Sequence, residues 1–131
     1  MNIKTIIAGS RTCTNMDILL SAIDKAPFKV TEVVCGKALG ADTLGELYGH
    51  INHLKLYYYK PNWEKYGKRA GMIRNEEMAM NAEALIALWD GQSNGTKNMI
   101  QLAKEYNLKT YIYEYNNIFD IPIYKFLIDN V

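Results

Sequence analysis

Little in this sequence announces a function by itself. It has two cysteines in 131 residues, Cys13 and Cys35, too few and too isolated for a disulfide framework or a zinc site. Each follows a predicted strand, so the two can come near each other, but reduced thiols are the expectation. His50 and His53 stand three apart without a Glu or Cys at ligand spacing, and no metal centre is expected. An excess of charge is missing too. Fifteen Lys and Arg against 14 Asp and Glu leave +1, which removes the global field that recruits nucleic acid or an acidic membrane surface. No apolar run approaches the roughly 18 residues of a membrane span. The N-terminal MNIKTIIAGSR has too short an apolar run for a secretory segment and no cleavage-like site. A cytoplasmic protein is expected, with neither membrane nor nucleic acid as partner. Internal repeats, low-complexity tracts, linkers, a nucleophile elbow, a Walker lysine motif and a clear dyad of acids are all absent.

What is present is apolar sequence in short pieces. Apolar residues make up 49% of the chain, enough for one domain with a buried core. Short apolar runs alternate with segments of helical period, the rhythm of an α/β chain. Strands are predicted at 3–9, 30–36, 54–59, 83–90 and 108–115, and helices at 15–26, 41–52, 72–82 and 95–107. In the first helix Ile18, Leu19, Ala22 and Ile23 are spaced for one apolar face, and Pro27 closes it. The second helix has modest propensity because it contains Gly45 and Gly49. Residues 60–71 read as a turn-rich polar connection. The strands are rich in Ile, Val, Leu and Tyr without strict polar alternation, which suits a sheet covered on both faces. The expected fold is therefore α/β, a Rossmann-like doubly wound, mostly parallel sheet with helices on both faces. Residues 1–115 form this domain. Residues 116–131 are apolar for a terminus and are expected to pack on it or on a neighbouring subunit of a homo-oligomer.

In such sheets ligands collect where loops leave the carboxyl ends of the strands, at the topological switch point. The loops are GSRTCT (9–14), GKALGAD (36–42), PNWEKYGKRAG (61–71) and DGQSNGT (90–96). Glycine lets a ligand approach main-chain N–H groups, and a loop entering a helix offers unsatisfied N–H groups and the helix dipole to an anion. The first, second and fourth loops thus make a candidate phosphate rim. Each alone also reads as an ordinary turn and cap, with Asn94 or Thr96 capping one helix and Asp42 another.

Cations reinforce the rim: Arg11, Lys37, Lys68 and Arg69, and Arg74 beside Asn75. Guanidinium suits phosphate or carboxylate. Lys68 and Arg69 also fit a solvated face, but Arg11 follows a buried strand immediately, where a charge needs a reason. Trp63 and Tyr66 could stack on a base or nicotinamide ring, or anchor a long loop. Asp42 and Asp90 could hold ribose hydroxyls. Glu76 and Glu77, next to Arg74, read first as a solvated helix face, and are the only acids near the rim that could act as a base.

The ordered set AGSRT, CGKALGAD, NWEKYGKRAGMIRNEEM and LWDGQSNGTKNMIQLAKEYNLKTYIY resembles the YspA-like branch of the SLOG superfamily, to which the DprA/SMF proteins and LOG phosphoribohydrolases also belong. The resemblance runs from about residue 3 to 113. It implies a nucleotide-binding Rossmann-like domain and a ligand such as ADP-ribose, an NAD product or a cyclic ADP-ribose isomer, with no cofactor required. By position it carries over Gly9, Ser10 and Arg11; Gly36, Gly40, Ala41 and Asp42; Trp63, Tyr66, Gly71, Arg74 and Asn75; and Asp90, Gly91, Ser93, Gly95 and Thr96. Lys37 joins them from the second loop, and Gly95 with Thr96 is expected to present donors to phosphate. LOG enzymes cleave the N-glycosidic bond of nucleoside monophosphates with an arginine, for which Arg74 is available, and a glutamate shortly after the Gly-Thr pair. Here Lys97, Asn98 and Met99 follow Thr96. Glycosidic cleavage calls for a carboxylate near the sugar, so binding as sensor or sequestering protein ranks above hydrolysis, and no catalytic residue is assigned. Asp42, Glu76 or Glu77 would have to replace the missing acid.

Overall fold

The structure is a computed structural model, and it describes residues 2–115. The extension at 116–131 lies outside the described residues, and so does its expected packing. Eleven elements follow one another: β1 (Lys4–Gly9), α1 (Met16–Lys25), β2 (Glu32–Cys35), α2 (Ala41–Ile51), β3 (Lys55–Tyr58), α3 (Trp63–Tyr66), a 3₁₀ turn (Gly67–Arg69), α4 (Ala70–Met80), β4 (Ala84–Trp89), α5 (Asn94–Glu105) and β5 (Lys109–Glu114). The strands form one sheet in the order β3-β2-β1-β4-β5, and every pairing is parallel. After β3 the chain crosses back over β2 and β1 to lay down β4. The order therefore reverses between β1 and β4, the switch point of a doubly wound sheet.

Residue parity decides which helices cover which face. Ile7, Val33, Cys35, Ile86 and Leu88 point to one side, where Ile18, Leu19 and Ala22 of α1 and Ala41 and Leu44 of α2 cover them. Ile6, Ala8, Val34, Leu85 and Ala87 point to the other, against Met78 and Ala79 of α4 and Met99, Ile100 and Ala103 of α5. With period-2 strands and both faces dry, every central strand residue must be apolar or small. Gly45 gives up helix propensity for closeness, since a Cβ there would stand 2.8 Å from Ile7 Cβ.

The connection at 60–71 is more ordered than the sequence suggests. Asn62 accepts from Lys65 N–H at 3.1 Å and starts the one-turn α3, and Gly67 ends it with φ +55°. The chain then runs through the 3₁₀ turn straight into α4, which starts at Ala70 rather than at 72. Cys13 and Cys35 are both buried thiols, and burial pushes the Cys35 thiol up to about 12. No helix among the described residues is long and apolar enough to cross a membrane.

Candidate functional site

The carboxyl ends of the strands open into a cleft of about 580 Å³. Its floor is the switch point. Ser10, 2% exposed, fastens that floor: its N–H donates to Leu88 O at 3.0 Å, and its carbonyl accepts from Cys13 at 3.1 Å and Ala41 at 3.2 Å. Its hydroxyl accepts from Asp90 N–H at 3.1 Å. Ser10 is thus consumed by structure, and the next residue, Arg11, is left exposed on the cleft wall.

The second loop is folded onto the first. Gly40 has φ +77°, and a Cβ there would collide with the carbonyls of Ser10 and Arg11. It, not Asp42, occupies the N-cap position of α2, and no side chain caps that end. Asp42 lies inside the first turn, 6% exposed, with Oδ2 accepting from Ala38 N–H at 3.2 Å. Burial raises its carboxyl to about 6, against the opposing pull of Arg74, the Ala38 N–H and Arg11. The bare Cα of Gly36 leaves a notch between them: a Cβ there would be 2.7 Å from Asp42 Oδ2 and 2.8 Å from Arg74 Nη1.

Arg74 reaches that notch from α4. Its Nη1 donates to the Gly36 carbonyl and its Nε to Asn75 Oδ1 at 3.0 Å. Burial lowers its pKa, and Asp42 counters that. Asn75 in turn donates to Asn98 Oδ1 at 2.9 Å and to Gly95 O at 3.4 Å, which ties α4 to the first turns of α5. Asn98 stands where the chain has no glutamate, and it serves to hold Asn75.

In the fourth loop the cap of α5 is Ser93, not Asn94 or Thr96. Its Oγ accepts from Thr96 N–H at 3.4 Å and from the Thr96 hydroxyl at 3.1 Å. Asp90 holds the turn, its Oδ1 accepting from Gln92 at 2.9 Å and Ser93 at 2.8 Å. Burial pushes the Asp90 carboxyl up, but the N–H donors of Ser93 and Gln92 outweigh it and hold it below its usual range. Gly91 turns the loop with φ +80°.

Of the residues picked from sequence, Gly9, Arg11, Lys37, Asp42, Trp63, Lys68, Gly71, Arg74, Asn75, Ser93, Gly95 and Thr96 line this one cleft. Ser10, Gly36, Gly40, Ala41, Asp90 and Gly91 do not line it, and neither do Arg69 and Tyr66, the latter 37% exposed. Glu76 and Glu77 are exposed and do not line it; Glu76 instead accepts from the Tyr106 hydroxyl at 2.9 Å. Sequence reasoning passed over Leu39, Glu46 and Met72, which do line it. Glu46 follows Asp42 by one helical turn, a spacing that could have found it. Trp63, Leu39 and Met72, exposed by 52, 72 and 59%, give the mouth an apolar edge. Among the described residues no group of three or more His, Cys, Asp or Glu is placed to hold a metal ion.

Residues 3–66 match the profile of the YspA, cpYpsA-related SLOG family, which takes in the first two loops and Trp63 and stops before Arg74. The Gene 61 protein of Mycobacterium phage D29 is 30% identical over 112 residues, covering 78% of this chain and 89% of the phage protein. No solved structure gives a significant match. The switch-point cleft is thus framed by the segment that the profile describes, and the phage relative is similar along most of the chain: this protein belongs to the YspA, cpYpsA-related SLOG family.

Proposed function

We propose that the cleft binds a nucleotide-derived small molecule of the ADP-ribose, NAD-derived or cyclic ADP-ribose type, and that the protein acts as a sensor or sequestering protein. One observation carries this reading: Arg11, Arg74, Asp42 and the start of α5 share a cleft whose mouth is edged by Trp63, Leu39 and Met72. Phosphate suits the guanidinium groups and the Gly95 end of α5, although the Thr96 N–H and hydroxyl expected to serve it are both taken by Ser93 Oγ, and a flat base suits the apolar edge. The volume falls in the usual range for small-ligand sites, roughly 300 to 1,000 Å³.

Hydrolysis of the N-glycosidic bond is the second reading, and Asp42 favours it. A carboxyl that burial raises to about 6, against the pull of Arg74, has the character of a group exchanging protons near neutrality. It would stand in for the glutamate that the 97–99 segment lacks.

Incubating the protein with AMP, NAD, ADP-ribose and cyclic ADP-ribose isomers, then chromatographing the mixture before and after heat denaturation, separates the two. Loss of one nucleotide from solution with intact recovery after heating is expected; release of free base would establish the hydrolase instead. Arg11→Ala should weaken retention by about 1.5 to 3 kcal/mol, the range for hydrogen bonds to charged groups. Full retention in that variant would remove Arg11 from the site.

A further inference from the structure

The cleft carries both signs. Arg11, Lys37, Lys68 and Arg74 line it with the start of α5, and the α2 wall adds carboxylate acceptors among them. Asp42 and Glu46 both line the cleft, and their four-residue spacing places them on one helix face, about 6 Å apart along the axis. The two acids are not equivalent. Asp42 is almost sealed and has Oδ2 engaged by Ala38. Thr43 between them donates its hydroxyl back to Ala38 O at 3.2 Å. Glu46 is more open, its side chain 28% exposed, with Oε1 3.0 Å from Lys37 Nζ and Oε2 3.9 Å from His50 Nε2.

Lys37 is placed for that contact by an unusual backbone. Its φ is +58°, a left-handed conformation uncommon for a residue other than glycine, and its ammonium also lies 4.9 Å from the centre of the Tyr58 ring. The hydrogen bond to Glu46 raises the Lys37 pKa. The result is a Glu46 side chain held by Lys37 at the wall of a cleft otherwise suited to anions. A carboxylate only accepts and repels phosphate, so it serves an anionic ligand where that ligand presents hydroxyl donors.

Resting on the nucleotide reading above, we infer that Glu46 is the residue that reads the ribose diol, with Lys37 orienting its carboxylate and the phosphates directed across the cleft toward α5. Asp42, 6% exposed and with Oδ2 already engaged by the Ala38 N–H, offers less free carboxylate than Glu46 does.

Isothermal titration with ADP, 2′-deoxy-ADP and inorganic pyrophosphate tests this in the wild type and in Glu46→Gln. The wild type should prefer ADP over 2′-deoxy-ADP by about tenfold or more, as loss of a hydrogen bond to a charged group predicts. Glu46→Gln should erase most of that preference while pyrophosphate binds at least as tightly as to the wild type, because the carboxylate that repels it is gone, which also shows that the variant is folded. A preserved ribose preference, or equal weakening of all probes, overturns the assignment of Glu46 and leaves the nucleotide reading standing. If the wild type binds none of these probes and no ADP-ribose, both fall together.

Discussion

At the scale of single residues, Asp42 sets a pH signature. Its carboxyl is raised to about 6 by burial, so between its unfolded pKa near 4 and 6 the native state holds a proton that the unfolded chain has lost. The stabilising effect is complete below about pH 4 and is lost as pH rises through 6, a difference of about 3 kcal/mol from the two-unit shift. Asp42→Asn keeps an oxygen for the Ala38 N–H and has no proton to lose. Denaturant unfolding should therefore show the variant gaining on the wild type as pH rises from 4 to 7; a constant difference would mean that Asp42 titrates as an ordinary acid. Asp90 works in the opposite sense: its lowered pKa contributes stability present above its unfolded value and lost on acidification. Arg11 was legible because it interrupts a buried strand end. Glu76 and Glu77 take the solvated helix face that their sequence also allowed: both are exposed, and Glu76 is engaged by the Tyr106 hydroxyl.

At the scale of elements, the start of α5 has a cap that sequence alone left ambiguous. Ser93, Asn94 and Thr96 are all cap formers, and only the turn held by Asp90 decides that the Ser93 side chain faces the helix end. Ser93→Ala should cost about 1 kcal/mol, which in a chain of this size lowers the thermal midpoint by roughly 3 to 6 °C. Ser93→Asp should restore most of it, because aspartate caps as well as serine does. An unchanged midpoint in the alanine variant would show that Thr96 and the turn suffice. Strands and long helices were readable because apolar periodicity needs several repeats to register. The one-turn α3 offers a single repeat, so only its cap residue Asn62 and the terminating Gly67 could have disclosed it. The glycines of α2 looked like weakness, and the reason for Gly45, contact with Ile7, lies in tertiary packing.

At the scale of the whole molecule, β1 and β4 occupy the middle of the sheet and their inner residues are 0% exposed, whereas β3 is an edge strand with Lys55 and Tyr58 exposed. Hydrogen exchange should be slowest in β1 and β4 and much faster in β3, following the gradient of local opening; equal protection across the sheet would point to a covered β3 edge. The parallel, doubly wound architecture was legible from element order and apolar strands. The strand order was not, because chain order alone does not say where β4 is inserted; the structure pairs it with β1, where Gly9 lies opposite Leu88 with no room for a Cβ. Ser10 joins segments eighty positions apart in sequence, with its carbonyl on α2 and its hydroxyl on the Asp90 turn. A load placed on this one residue is therefore shared by the entrance to α2 and the turn ahead of α5, which couples the two halves of the chain through a single serine.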